Sequence, residues 1–388
     1  MFKSNELEKI PLAYDKIMRE LEEDIIVDIA NCILATGEIT ATADWNIFRL
    51  HQLGKSKWWI RRRIRKTAKL TLLEVRRLYK ETFAKEYVRD EKLYKIFGAK
   101  IVSFKDNKEL QQSITAAINN CGKQLENITK TSGFSVSIGG KKQYTDVHKY
   151  FANELDKSII SVQNGLSTAD KETIRVVKQM CASGFQTVTY DSGVTRSVES
   201  AVRMCVMTGL TQITAQVNES NAEQLGTDKF EVSCHGNARP SHMEWQGRVW
   251  TKEQLVSVCG LGTATGLCGI NCYHQYFPFI DGISERSYSD EELDKMIEDS
   301  TKTKKYNGVE YTPYEATQRM RFLERNIRKQ QKQINILERL DKQTDEIQDT
   351  ITIAKCKKKA LSQQYVDFAD KMGLPQERSR LKCEVKPG

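Results

Sequence analysis

In the last quarter of the chain, apolar residues recur at alternating steps of four and three, a spacing that admits long amphipathic helices and little else. Ala316, Met320, Leu323, Ile327, Gln330, Ile334 and Leu337 form one stripe. After a polar break at 341–346, Ile347, Ile351, Ala354, Lys358, Leu361, Tyr365, Phe368 and Met372 form a second. The start is marked by Thr312-Pro-Tyr-Glu315, with an N-cap threonine, proline at the first helical position and glutamate at the third. Gly373 and Pro375 supply the stop. Two heptad-spaced helices of similar length predict an antiparallel hairpin or two strands of a coiled coil, with Gln330 and Lys358 interrupting the seams.

The same periodicity opens the chain. Ile10, Tyr14, Ile17, Leu21, Ile25, Ile29 and Ile33 predict one helix that stops near Gly37. A short helix over about 44–53 then ends at Gly54, and Thr71-Leu-Leu-Glu74 reads as a capping box opening another helix to about Ala84. Three short helices with brief turns predict a helix-turn-helix-like segment. Lys57, Arg61, Arg62, Arg63, Arg65, Lys66 and Lys69 crowd its centre, and Glu74 is the only acid between Lys55 and Lys80. A net charge of +9 points the same way. This pattern suits a DNA backbone or an acidic protein face, and no residue in it specifies base readout.

The remaining segments complete a chain that is mainly α with a small α+β module rich in Cys, His and Gly. Helices are expected over about 102–130, 147–164, 168–182 and 197–223, with a loop or small hairpin at Thr131–Thr145 and a short strand within Gly184–Gly193. The expected domains are a helical N-terminal region at 1–130, a helical middle region at 131–226, a compact block at 227–285, and a helical hairpin with its tail at 286–388. No apolar run approaches the ~20 residues of a membrane span. The start, MFKSNELEKIPLAYDK, has no apolar core of the secretory kind. The ten cysteines therefore read as reduced thiols with room for a few metal ligands, and most of Cys32, Cys121, Cys181, Cys205, Cys356 and Cys383, scattered singly, read as small buried hydrophobes.

The compact block carries the chemistry. It holds His235, His242 and His274 together with Cys234, Cys259, Cys268 and Cys272. Zinc takes four Cys or His ligands from tight knuckles. Cys268-x3-Cys272-x-His274 offers two or three, and Cys234, His235 or His242 the rest. The donor types fit, although the spacing is not a paired C-x2-C. Zinc is the one candidate cofactor, and the alternative is a glycine-rich turn with buried thiols and no metal. His235, Arg239, His242, Gln246, Asn271 and His274 also form a polar cluster, and Cys with His and Asn is a set used by cysteine nucleophiles. The chain has no phosphate-binding loop, no G-x-S-x-G and no H-E-x-x-H, so a structural hydrogen-bond network ranks above catalysis.

Four stretches, DIIVDIANCILATGEITATADWNIFRLHQLG, AVRMCVMTGLTQ, LGTDKFEVSCHGNARPSHMEWQGRVW and GLCGINCYHQYFPFIDG, closely resemble the phage minor capsid protein 2 family. The resemblance runs from about Leu7 to the tail helices and is most specific over 231–250 and 266–282. The pattern carries onto His235, Ala238, Arg239, Pro240, His242, Trp245, Gln246, Gly247, Gly269, Asn271, Cys272 and His274. It departs at Tyr273, where the family usually has arginine, and Cys234 and Cys259 are not typical of it. The resemblance implies a structural virion protein at the portal of a tailed-phage head, similar in role to the Mu protein F-like head morphogenesis proteins. The implied partners are the portal protein, other head proteins and packaged phage DNA, and the implied location is the head, with the host cytoplasm during assembly. The competing expectation is a DNA-acting or effector enzyme carried in the head, with the 234–274 block as its active site. An open cleft over that block favours the enzyme; a closed cluster favours structure.

Overall fold

The computed structural model describes residues 12–38, 42–96, 98, 102–138, 141–188, 195–236, 238–270 and 272–381. Helix α1 (Leu12–Leu34) runs into a 3-10 turn at Ala35–Glu38, and α2 spans Thr42–Ile96. Helix α3 (Lys108–Lys130) leads into the hairpin β1 (Ser132–Ile138) and β2 (Lys141–Asp146). Next come α4 (Val147–Gln163), α5 (Ala169–Ser183), β3 (Gln186–Val188), β4 (Thr195–Ser197) and α6 (Val198–Leu225). The block that follows alternates β5 (Lys229–Val232), α7 (Pro240–Met243), β6 (Val249–Thr251), α8 (Lys252–Ser257) and β7 (Tyr276–Phe279). Helix α9 (Asp290–Thr301), the ribbon β8 (Lys304–Tyr306) and β9 (Val309–Tyr311), α10 (Pro313–Glu338), α11 (Asp345–Met372) and α12 (Arg378–Leu381) complete the described chain. Helix accounts for 69% of the described residues, which makes the fold mainly α.

The basic segment departs from expectation. The helix-turn-helix-like arrangement is replaced by one helix of 55 residues, α2, unbroken at Gly54 and at Thr71. Glycine inside a helix costs only about 1 kcal/mol relative to alanine, and the Lys, Arg, Leu and Ala around it are strong helix formers. Ser56, Ile60, Ile64, Thr67, Thr71, Val75 and Tyr79 are all buried, so one buried stripe begins just past Gly54 and runs straight through the second expected turn at Thr71. Thr71 does not cap a new helix. Its hydroxyl donates to the Thr67 carbonyl one turn back, at 2.9 Å.

The described residues gather into two compact units. One includes Ala13–Thr71, Glu126–Val202 and Met320–Gly388. Its core is built on α1, where Ile25, Ile26, Ile29, Ala30 and Ile33 are fully buried. A four-stranded antiparallel sheet, ordered β2-β1-β3-β4, belongs to the same unit. Phe134 on β1 packs against Tyr150 and Phe185 with ring centroids 5.0 and 5.5 Å away. Helices α10 and α11 pair as an antiparallel hairpin: Lys355 meets Glu338 at 2.7 Å, Lys358 donates to Gln331, and Tyr365 donates to Glu324 at 3.4 Å. Lys358, a seam interruption in the sequence, is thus satisfied across the hairpin.

The other unit includes Leu72–Leu125 and Arg203–Arg319. Its sheet is antiparallel in the order β6-β5-β7, with Phe230 opposite both Trp250 and Pro278. Phe230, Val232, Trp245, Leu255, Cys259, Leu267 and Tyr276 form the core beneath it. Cys259, one of the four cysteines of the compact block, is one of these core residues. Asn218 on α6 donates to the Tyr276 carbonyl at 2.7 Å, fixing α6 against β7. This sheet carries the Cys/His segment.

Candidate functional site

Strand β5 ends at Val232, and the chain after it is pinned from both sides. The Gly247 N–H donates to the Val232 carbonyl at 2.9 Å, and the Ser233 N–H to the Gln275 carbonyl at 2.7 Å. Pro240 opens the one-turn helix α7, and the Gln246 N–H donates to the His242 carbonyl at 3.1 Å. His242 and Gln246, four residues apart, therefore project from one side of a tight turn. Between α8 and β7 the described chain forms turns only, held by bonds such as Leu267 N–H to Cys259 carbonyl and Ile270 N–H to Ala264 carbonyl, both 2.8 Å. Gly269 is needed there because a Cβ would lie 2.7 Å from the carbonyl oxygens of Thr263 and Ala264.

These two segments bring three donor atoms together. Nδ1 of His242 lies 3.4 Å from Nδ1 of His274. Sγ of Cys272 lies 3.5 Å from Nδ1 of His274 and 4.0 Å from Nδ1 of His242. The far ring nitrogens are both engaged. Nε2 of His242 donates to the Thr265 carbonyl and Nε2 of His274 to Oε1 of Gln246, each at 2.8 Å. In a neutral imidazole only one nitrogen carries hydrogen, so these bonds leave a lone pair on each Nδ1. Gln246 Oε1 also accepts the His235 N–H at 3.2 Å. The Trp245 ring walls the cluster, 4.5 Å from the His242 ring and 4.9 Å from the His274 ring between centroids.

Burial sets the protonation states. His242, Cys272 and His274 are 2, 5 and 1% exposed. Desolvation, with His235, His242 and Arg239 close by, pushes the His274 imidazole down to about 2, and desolvation likewise lowers His242. Both rings are neutral. Desolvation raises the Cys272 thiol, while backbone N–H groups of His274, Cys268 and Gly269 that face its sulfur pull the other way.

The other expected residues stand apart from this trio. Cys268 has a φ of 60°, and its thiol donates to the His274 carbonyl at 3.7 Å. Cys234 contacts Met296 Sδ at 3.7 Å. The half-buried His235 ring lies over that of His274, 4.1 Å between centroids, with its Nδ1 3.1 Å from the Gly236 carbonyl. Arg239 donates to the Ile270 carbonyl, which ties the two segments together. Asn271 lies outside the described residues. Tyr273 accepts a bond from Arg203 at 2.8 Å. Thr265 was missed in the sequence because it contributes a main-chain oxygen, which no side-chain pattern reveals.

The basic segment of α2 is a second surface of interest. At 100° per residue, Trp58, Arg62, Arg65 and Lys69 fall opposite the buried stripe, with Arg61 to the side of that face, and all five are exposed. The Arg62 guanidinium sits 5.1 Å from the Trp58 ring centroid. Lys57 and Lys66 flank them, also exposed. Arg63 lies near the buried stripe and donates to Asp24 of α1 at 2.8 Å.

Comparison with known proteins agrees with the resemblance. A relative from Lactococcus phage LL-H, described as a structural protein, is 24% identical over 236 residues, covering 56% of this chain. The chain spans 57% of that relative's length. No solved structure matches. No described helix is long and apolar enough to cross a membrane. The family model for phage minor capsid protein 2 matches residues 2–370, nearly the whole sequence, and the chain belongs to that family.

Proposed function

We propose that this phage structural protein works at the portal of the head, where it assists assembly and contacts packaged DNA through the basic face of α2. Family membership supports the head location. The observation that carries the DNA contact is the exposed row of Arg61, Arg62, Arg65 and Lys69 beside Trp58, with Arg63 held back by Asp24. Such a row neutralises phosphates without reading sequence, which suits a protein that meets every part of a genome in passage. A titration of duplex DNA against the purified chain tests it. Affinity should fall linearly with the logarithm of salt concentration, and the triple variant Arg61→Ala, Arg62→Ala, Arg65→Ala should weaken binding at every sequence tried. Binding unchanged in that variant would remove the assignment.

The enzyme reading finds less support. His242, Gln246 and His274 are at most 2% exposed, and their polar atoms are turned toward each other or the adjoining main chain. Among the described residues this packing supports a closed structural cluster over an open cleft.

A further inference from the structure

We propose that His242, His274 and Cys272 form a structural zinc site, bound through Nδ1, Nδ1 and Sγ, which closes the turn-only segment between α8 and β7 onto α7. Tetrahedral zinc with two imidazoles and one thiolate has ligand–ligand edges of about 3.4 Å between nitrogens and about 3.6 Å from nitrogen to sulfur, given Zn–N near 2.0–2.1 Å and Zn–S near 2.3 Å. The observed separations are 3.4, 3.5 and 4.0 Å, so the atoms stand near coordinating positions without rearrangement.

The hydrogen-bond inventory makes the same point independently. Two Nδ1 lone pairs and one thiol face one another in a buried space. The thiol can offer a single proton to one of the nitrogens, which leaves the other an unsatisfied buried acceptor. A cation at the centre satisfies all three. The bonds from Nε2 to the Thr265 carbonyl and to Gln246 are the outer-shell contacts that fix tautomer and ring orientation in metal-binding histidines. The N–H groups facing the Cys272 sulfur suit a thiolate. On binding, Cys272 releases its thiol proton to solvent and the zinc–sulfur bond forms, with no change of oxidation state.

Three protein donors leave one tetrahedral position for water. In catalytic sites that position meets substrate; here burial makes the site structural. His242 and Cys272 are 30 residues apart, so the metal would cross-link two segments joined otherwise by turns and side-chain bonds. Two imidazoles and a thiolate also serve copper electron-transfer centres, so the identity of the metal is part of the test.

The experiment is elemental analysis of the full chain purified without chelator. About one zinc per chain is expected, falling below about a tenth in Cys272→Ala and His274→Ala and retained in Cys268→Ala and His235→Ala. Because the first two variants can misfold, the wild-type chain is also loaded with cobalt and alkylated. Thiolate-to-cobalt charge-transfer absorption, and Cys272 protected from alkylation until chelator is added, are expected. Wild-type protein with no more zinc than Cys272→Ala, copper in place of zinc, zinc lost in Cys268→Ala, or Cys272 alkylated equally fast with and without chelator would each overturn the proposal.

Discussion

Glu22 and Lys332 meet at 2.7 Å, with side chains only 8 and 16% exposed, and Glu22 also accepts the Phe185 N–H at 2.8 Å. One carboxylate thus joins α1, α10 and the start of the β3 segment within one unit. Removing one partner of a buried pair leaves the other charge uncompensated, at a cost of about 3–5 kcal/mol. Lys332→Met is therefore expected to lower the thermal unfolding midpoint by many degrees, and adding Glu22→Gln should recover much of the loss. A Lys332→Met variant as stable as the wild type would mean that the pair is not formed.

Glu23, beside it, supplies a pH dependence. Burial raises its carboxyl from the ordinary 4.5 to about 7, against the hydrogen bond from Asn335 and the charges of Lys332 and Arg339. The folded state therefore holds the proton more tightly than the unfolded chain does. Its contribution to stability is present below about pH 4.5 and is lost as pH rises toward 7, amounting to about 3 kcal/mol by the relation of 1.36 kcal/mol per unit. Glu23→Gln should be more stable than the wild type at pH 8, with the gap closing near pH 4.5. Denaturant melts at both pH values measure this, and a gap independent of pH contradicts it.

Arg63 separates folding from binding within the basic run. It lies among Arg61, Arg62 and Arg65 in sequence but pairs with Asp24. Arg63→Ala is expected to destabilise by about 1 kcal/mol while leaving the salt dependence of DNA binding intact. The triple variant at Arg61, Arg62 and Arg65 should show the reverse, with a salt slope shallower by roughly 3, near 0.9 per lost contact. Equal slopes for the two variants would count against the selective face.

Gly269 sits where a side chain has no room. Gly269→Ala would force the turn apart, because the new methyl lies 2.7 Å from two backbone carbonyl oxygens that cannot swing away. A loss of about 2 kcal/mol is expected. Chemical denaturation of the variant measures it, and an unchanged midpoint would contradict the tight packing of this segment.

Helices with strong caps and unbroken stripes were legible from sequence. The Thr312 box forms as read, with Glu315 accepting the Thr312 N–H at 2.9 Å, and Gly373 ends α11 in the left-handed conformation. The misreading at α2 has a clear cause. Gly54 and Thr71-Leu-Leu-Glu74 are local signals; strong helix formers around Gly54 and a continuous buried face through Thr71 overrode them. In the Cys/His segment the donor types were legible and their selection was not. Spacing treats Cys268 and Cys272 alike, whereas the positive φ at Cys268 turns its thiol toward the His274 carbonyl. Arg63 was grouped with its neighbours because its partner, Asp24, lies 39 residues away on another helix.

The proposed position at the portal, in contact with DNA, is tested most directly by cross-linking mass spectrometry of purified phage heads. The result it predicts is cross-links from this chain to the portal protein, together with DNA adducts at the Lys57–Lys69 face of α2. Cross-links confined to the major shell protein, or absence of the chain from purified heads, would contradict it.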